Sequence, residues 1–140
     1  MAFYRELMAA PPPADRRARI DSMIAEQRVL HGTGLPFDED AARRLQERVY
    51  DRARDLSAAA NHRLAAMAKP DFEPVGVLHQ VKAPTLVIEG SHEPAKPGHG
   101  AIIAERIPGA RLKIVAGMGH TLPPEVHEEL AAAVLAHTAG

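Results

Sequence analysis

At 140 residues the chain has the length of one ordinary domain, long enough to bury roughly two-thirds of the surface its unfolded form exposes. Its 25% charged and 46% apolar residues are ordinary globular values, a formal net charge of -1 gives no global field to gather nucleic acid or an anionic membrane, and the absence of cysteine excludes disulfides, thiolate metal sites and a cysteine nucleophile. No stretch approaches the roughly 18 consecutive apolar residues that span a bilayer and the amino terminus lacks a secretory pattern, so the sequence predicts a soluble, cytoplasmic protein.

The first half reads as successive helices broken by turn residues, the Pro11-Pro12-Pro13 run and the His31-Gly32-Thr33-Gly34 stretch before Pro36. Over residues 14–30, Ile20, Met23, Ile24 and Leu30 lie near one helical face, with Arg16, Arg17, Arg19 and Glu26 on the rest. Over residues 38–54, Ala41, Leu45 and Val49 recur at four-residue steps behind an acidic first turn of Asp38, Glu39 and Asp40, a charge order that suits a helix dipole. A third, alanine-rich helix is predicted over residues 57–67, with Pro70 as its stop.

At Ala83 the character changes. Pro84 is followed by Thr85-Leu86-Val87-Ile88, apolar at consecutive positions, which predicts a strand over residues 85–89 buried on both faces. Residues 111–116 alternate instead, Leu112, Ile114 and Ala116 on one side and Lys113 opposite, as a strand nearer a sheet edge does. Between them residues 98–106 carry Ile102 and Ile103, with Ile107 beyond, at helical spacing before Pro108-Gly109, the pattern of a right-handed parallel crossover. Thr121 is placed to cap a last helix opened by Pro123-Pro124, with Val126, Leu130 and Val134 along one stripe. The expected organisation is a helical region over residues 1–75 and a strand-helix-strand-helix unit over residues 76–140. Two parallel strands are fewer than such a sheet normally holds, so a further neighbour for residues 85–89 is expected from outside the chain, and without it self-association through the open edge, coverage by the helices, or aggregation.

Functional groups of open parallel sheets gather beyond the carboxyl ends of the strands. Here the first strand runs into Glu89-Gly90-Ser91-His92-Glu93-Pro94 and the second into Gly117-Met118-Gly119-His120, so an acid and a histidine leave adjacent strands at the same end. A carboxylate that holds an imidazole in one tautomer, leaving the far nitrogen free to accept a proton, is the orienting half of a Ser/His/acid triad. His120 takes the place of the base and Glu93 that of the orienter, with Glu89 as the fallback acid. The stretches APTLVIEGSHEPAKPGHG and AERIPGARLKIVAGMGHTLPPEVHEELAAAVLAH resemble the carboxyl-terminal end of α/β-hydrolases, particularly the group related to aclacinomycin methylesterase, over about residues 81–138, and the helices of residues 13–68 resemble that group's cap more loosely. The resemblance implies a carboxyl-terminal part of an α/β-hydrolase fold, cap followed by the last strand-helix units. It carries the triad acid's Gly-x-x-Asp-Pro pattern onto Gly90, Glu93 and Pro94, with glutamate in place of aspartate, and the histidine's Gly-His pattern onto Gly119 and His120. The family's Gly-x-Ser-x-Gly elbow has no counterpart in these 140 residues: Ser22 and Ser57 sit in expected cap helices, and Ser91 lies in the acid's own loop without flanking elbow glycines. A truncated product or a part of a longer protein is therefore expected.

Competing readings are weaker. His92 and His99 beside Glu93 invite a metal, but their loop is proline-rich and no second paired cluster accompanies them, so no metal and no organic cofactor is expected. The arginines at positions 16, 17, 19, 43, 44, 48, 52 and 54 alternate with acids, and aromatic residues make up only 4% of the chain, which favours solvated helix faces over a nucleic-acid surface. Met8, Met23 and Met67 read as core or pocket lining. The sequence thus predicts a relative of ester or acyl hydrolases acting on a small-molecule ester when complete, inactive alone for want of a nucleophile, with a non-catalytic remnant or helix-rich interaction module as the alternative.

Overall fold

A computed structural model describes residues 13–58, 61, 65, 68 and 73–139. Helix α1, Arg16–His31, begins where the Asp15 carboxylate accepts the amide of Ala18 at 2.8 Å, satisfying one of the donors a helix start leaves open, and ends at Gly32 in a positive-φ conformation. Helix α2, Glu39–Arg52, repeats the device: Asp38 accepts from Ala41 at 2.8 Å, and Glu39 and Asp40 sit in the first turn. The two helices pack through Ile20, Ile24 and Ala42, with Phe37 and Tyr50 against them. Burying each isoleucine is worth roughly 1.5–3 kcal/mol. The arginines find acids across the same contact, Arg16 on Asp51 at 2.8 Å, Arg43 on Asp21 at 2.6 Å and Arg28 on Glu39. All are well exposed, so they set the register of the helix pair more than they stabilise it.

The four-residue stripe of α2 does not face α1. Leu45 and Val49 are 41% and 44% exposed, and Ala42 and Tyr50 turn inward instead, because the arginine–acid pairs and a Gln46–Gln27 hydrogen bond of 2.7 Å fix the rotation of the helix. The expected helix over residues 57–67 falls mostly outside the described residues, as do Met8 and Met67; a short 3-10 helix, Leu56–Ala58, stands at its start. Met23 is half-buried on α1.

A 3-10 helix at Pro74–Gln80, absent from the sequence expectation, leads into β1, Leu86–Gly90. Helix α3, His99–Arg106, returns the chain to β2, Arg111–Val115, which lies parallel to β1 with Leu86 opposite Arg111 and Gly90 opposite Val115. Helix α4, His127–Thr138, follows a 3-10 turn at Pro124–Val126. The core here is Val115, Met118 and Val126, backed by Ile88, Leu130 and, from the α1–α2 connection, Leu35.

Three expectations are corrected. β1 is half-buried rather than buried throughout, since among the described residues it pairs only with β2. The side of β2 turned inward is that of Lys113 and Val115, with Lys113 paired to Glu129 of α4, while Leu112 and Ile114 are 40% and 46% exposed. Thr121 caps no helix: neither α4 nor the turn before it has a side-chain cap, and the threonine hydroxyl is engaged by His31 instead. Among the described residues no helix is long and apolar enough to cross a membrane.

Candidate active site

The two strands end side by side, and their following loops are stitched together by backbone: Ser91 N–H donates to the carbonyl of Val115 and His92 N–H to that of Met118, both at 2.9 Å. Ser91 Oγ accepts the amide of Gly117 at 2.9 Å and contacts His92 Nδ1 at 3.0 Å. These bonds place the acid loop against the histidine loop, and Glu93 Oε2 stands 2.8 Å from His120 Nδ1. The other carboxylate oxygen, Oε1, accepts the amides of Ala95 at 2.7 Å and Lys96 at 3.2 Å. With both oxygens engaged, the longer glutamate side chain is held in one orientation.

A carboxylate can only accept, so Nδ1 of His120 carries the proton of this bond and Nε2 is left as the acceptor in the neutral ring. The Glu93 side chain is 10% exposed and that of His120 is 55% exposed, a buried carboxylate beneath an accessible imidazole. Burial pushes the Glu93 carboxyl up, but the hydrogen bond from His120 and the amides of Ala95 and Lys96 together outweigh it and hold the group below its ordinary value of 4.5. A depressed carboxylate pKa contributes stability that is present above the unfolded value and lost as pH falls through the folded one. The unfolding free energy of the parent chain should therefore fall toward that of Glu93→Gln as the pH is taken from neutrality to below the ordinary carboxyl value of 4.5. A gap that stays constant over this range in denaturant titrations would contradict the bond network.

Glu89, the fallback acid, does not reach the histidine. Its two oxygens accept the amides of Gly98 and Gly100, both at 2.5 Å, so it closes the amino-terminal end of α3. Gly100 permits this approach, since a Cβ there would stand 2.4 Å from Glu89 Oε2. His92 is occupied by Ser91, and His99 opens α3.

One residue at this site escaped the sequence reading. His31, which the glycine-rich pattern puts in a turn, is the last residue of α1 and is only 5% exposed; its Nδ1 lies 3.2 Å from Thr121 Oγ1 and its Nε2 lies 3.3 Å from the carbonyl of Leu35. Nothing in a lone histidine before glycine signals a partner 90 positions away.

No protein-family model matches the chain. It is 35% identical over 133 residues to rhodomycin D methylesterase DauP of Streptomyces sp. strain C5 and 35% identical over 132 residues to rhodomycin D methylesterase DnrP of Streptomyces peucetius, each alignment taking in 94% of this chain and 44% of the relative. The structure matches an esterase from Exiguobacterium antarcticum with a TM-score of 0.67 at 15% identity, over 99% of this chain and 47% of that one. The fold is the carboxyl-terminal part of an α/β-hydrolase. The chain spans just under half the length of the curated relatives it matches. The Glu93–His120 pair stands on the loops that follow the two strands of the β1-α3-β2-α4 unit.

Proposed function

We propose that the chain contributes the base and the orienting acid of a hydrolase that cleaves carboxylic esters or related acyl compounds, methyl esters being the class that the names of its relatives suggest. The observation that carries this reading is the 2.8 Å bond between His120 Nδ1 and Glu93 Oε2, which leaves Nε2 on the accessible side of the ring. His120 Nε2 takes the proton of an attacking serine hydroxyl supplied by residues outside these 140, then returns it to the departing alkoxide; in the second half it repeats the exchange with water and serine. Glu93 keeps the ring in the required tautomer and stabilises the imidazolium that forms at each step, without itself taking the proton.

Histidine and acid activate a nucleophile but do not replace one, and without oxyanion donors there is no stabilisation of the tetrahedral charge. The 140-residue chain alone should therefore show no saturable hydrolysis of a short-chain chromogenic ester that depends on His120. Adding an upstream half with the strand-elbow-helix unit, taken from a methylesterase relative, should produce turnover. In that complemented enzyme Glu93→Gln should lower kcat by roughly 10-fold to 10⁴-fold, because an amide can present a donor to Nδ1 and favour the wrong tautomer. Turnover by the chain alone, abolished in His120→Ala, would sink the requirement for an external serine and point to Ser91.

A further inference from the structure

The end of cap helix α1 and the loop that carries His120 are joined by contacts of different kinds within three residues on each side. His120 donates its backbone amide to the carbonyl of Leu30 at 2.7 Å. Gly119 lies so close to the carbonyl of His31 that a Cβ there would stand 2.1 Å from its oxygen. The ring of His31, buried beneath this contact, meets the Thr121 hydroxyl with one nitrogen and the Leu35 carbonyl with the other. Phe37 closes over the same ring edge-on, its centroid 5.2 Å from that of His31.

We infer that His31 is a positioning residue for His120, locking the cap helix to the catalytic loop so that the His120 ring keeps its bond to Glu93. A carbonyl only accepts, so Nε2 of His31 carries the hydrogen and donates to Leu35; in the neutral ring Nδ1 then accepts from the Thr121 hydroxyl. The two bonds run in opposite directions through one rigid ring and tie residue 121, next to the base, to the peptide that leads out of α1. His120 is otherwise weakly restrained: its side chain is 55% exposed, and Glu93 is the side-chain partner that orients it. A slip of the loop by a fraction of an ångström at Thr121 is enough to lengthen a 2.8 Å bond at the neighbouring residue. The cap is thereby a structural support of the base as well as a cover, and its seating and the His120 tautomer are coupled.

The significance of His31 for turnover rests on His120 being the general base, whereas the coupling itself is measurable without any reaction. The probe is the ¹⁵N-labelled chain and a long-range ¹H–¹⁵N correlation of its imidazole rings at pH 8, with His120 assigned by His120→Gln. In the parent chain His120 should be protonated at Nδ1, opposite to the Nε2–H form that a free imidazole side chain prefers. His31→Leu, which fills the space but makes neither bond, should move His120 to the free pattern; His31→Gln, which offers both a donor and an acceptor, should restore the Nδ1–H pattern in large part. Should His31→Leu not fold by circular dichroism, Thr121→Val decides, since it removes one bond at a half-buried position and should shift His120 in the same direction. The inference is overturned by a parent ring already in the free pattern, by an unchanged His120 in folded His31→Leu or in Thr121→Val, or by a folded His31→Gln that does no better than leucine. Coupling seen in these spectra alongside a complemented enzyme that never turns over ester would sink the hydrolase reading and leave the His31 contact standing.

Discussion

His120→Ala, introduced into the chain after complementation with a serine-bearing upstream half, is expected to lower kcat by roughly 10⁴-fold to 10⁶-fold with a much smaller change in KM. The size follows from the role proposed for the ring: removing the serine proton as the oxygen attacks and protonating a leaving alkoxide whose pKa is far above neutrality, neither of which has a substitute once Nε2 is gone. Residual activity then reflects only binding and the oxyanion donors of the upstream half. Glu93 survives in this variant with the amides of Ala95 and Lys96 still on Oε1, so the loop keeps its fold and the loss reads the chemistry alone. The test is hydrolysis of a chromogenic ester under saturating conditions. A drop of less than about tenfold would remove His120 from the mechanism, whatever its bond to Glu93.

The largest structural effect is expected at a glycine. Gly90 is buried at the carboxyl end of β1, and a Cβ there would stand 2.0 Å from the carbonyl oxygen of Met118 and 2.5 Å from that of Gly119. Both are backbone atoms of the histidine loop, tied in place by the amides of His92 and His120, so neither can swing aside as a side-chain tip would. Gly90→Ala should therefore cost about 3 kcal/mol or more, a fall of roughly 10 °C in Tm for a chain of this size. It should also part the acid loop from the histidine loop, because the hydrogen bond from His92 to Met118 crosses the same contact. Gly76→Ala is the control: its nearest neighbours would stand 3.9 Å from the added carbon, and the change should stay within about 0.5 kcal/mol. Equal losses in the two variants by thermal unfolding would show that the tight approach at Gly90 is relieved cheaply.

The helices that carry local signals were legible in the sequence. The expected spans of residues 14–30 and 38–54 match α1 and α2 to within two residues at each end, with Glu39 and Asp40 in the first turn of α2 as the charge order placed them, while Asp15 and Asp38, which the pattern put inside the helices, stand as their caps. The two strands were legible to within a residue at each end, since a run of β-branched residues after proline and an alternating run after Pro108-Gly109 have no competing helical period. Faces were less legible than elements. The stripe of Ala41, Leu45 and Val49 gave the period of α2 correctly but not its rotation, which depends on where Arg16, Asp21 and Gln27 stand on another helix. In β2 the apolar alternate, Leu112 and Ile114, lies on the more exposed side, because α4 packs on the side of Val115 and pairs with Lys113 through Glu129.

The sequence by itself determined that an acid and a histidine leave neighbouring parallel strands at the same end, because strand order and loop position follow from hydrophobic pattern and turn residues alone. The family resemblance favoured Glu93 over Glu89 as the acid, but what physically separates the two is tertiary structure. Glu89, in β1, and Glu93, in the loop after it, are four positions apart, yet Glu89 turns to the amides of Gly98 and Gly100 while Glu93 turns to His120. That choice depends on side-chain direction at the strand end and on the amides of Ala95, Lys96, Gly98 and Gly100, which hydrophobic period and turn residues do not place. The contacts of His31 are more distant still: they join the end of α1 to a loop 90 residues later, and contacts of that separation exist only once α1 and the sheet have packed.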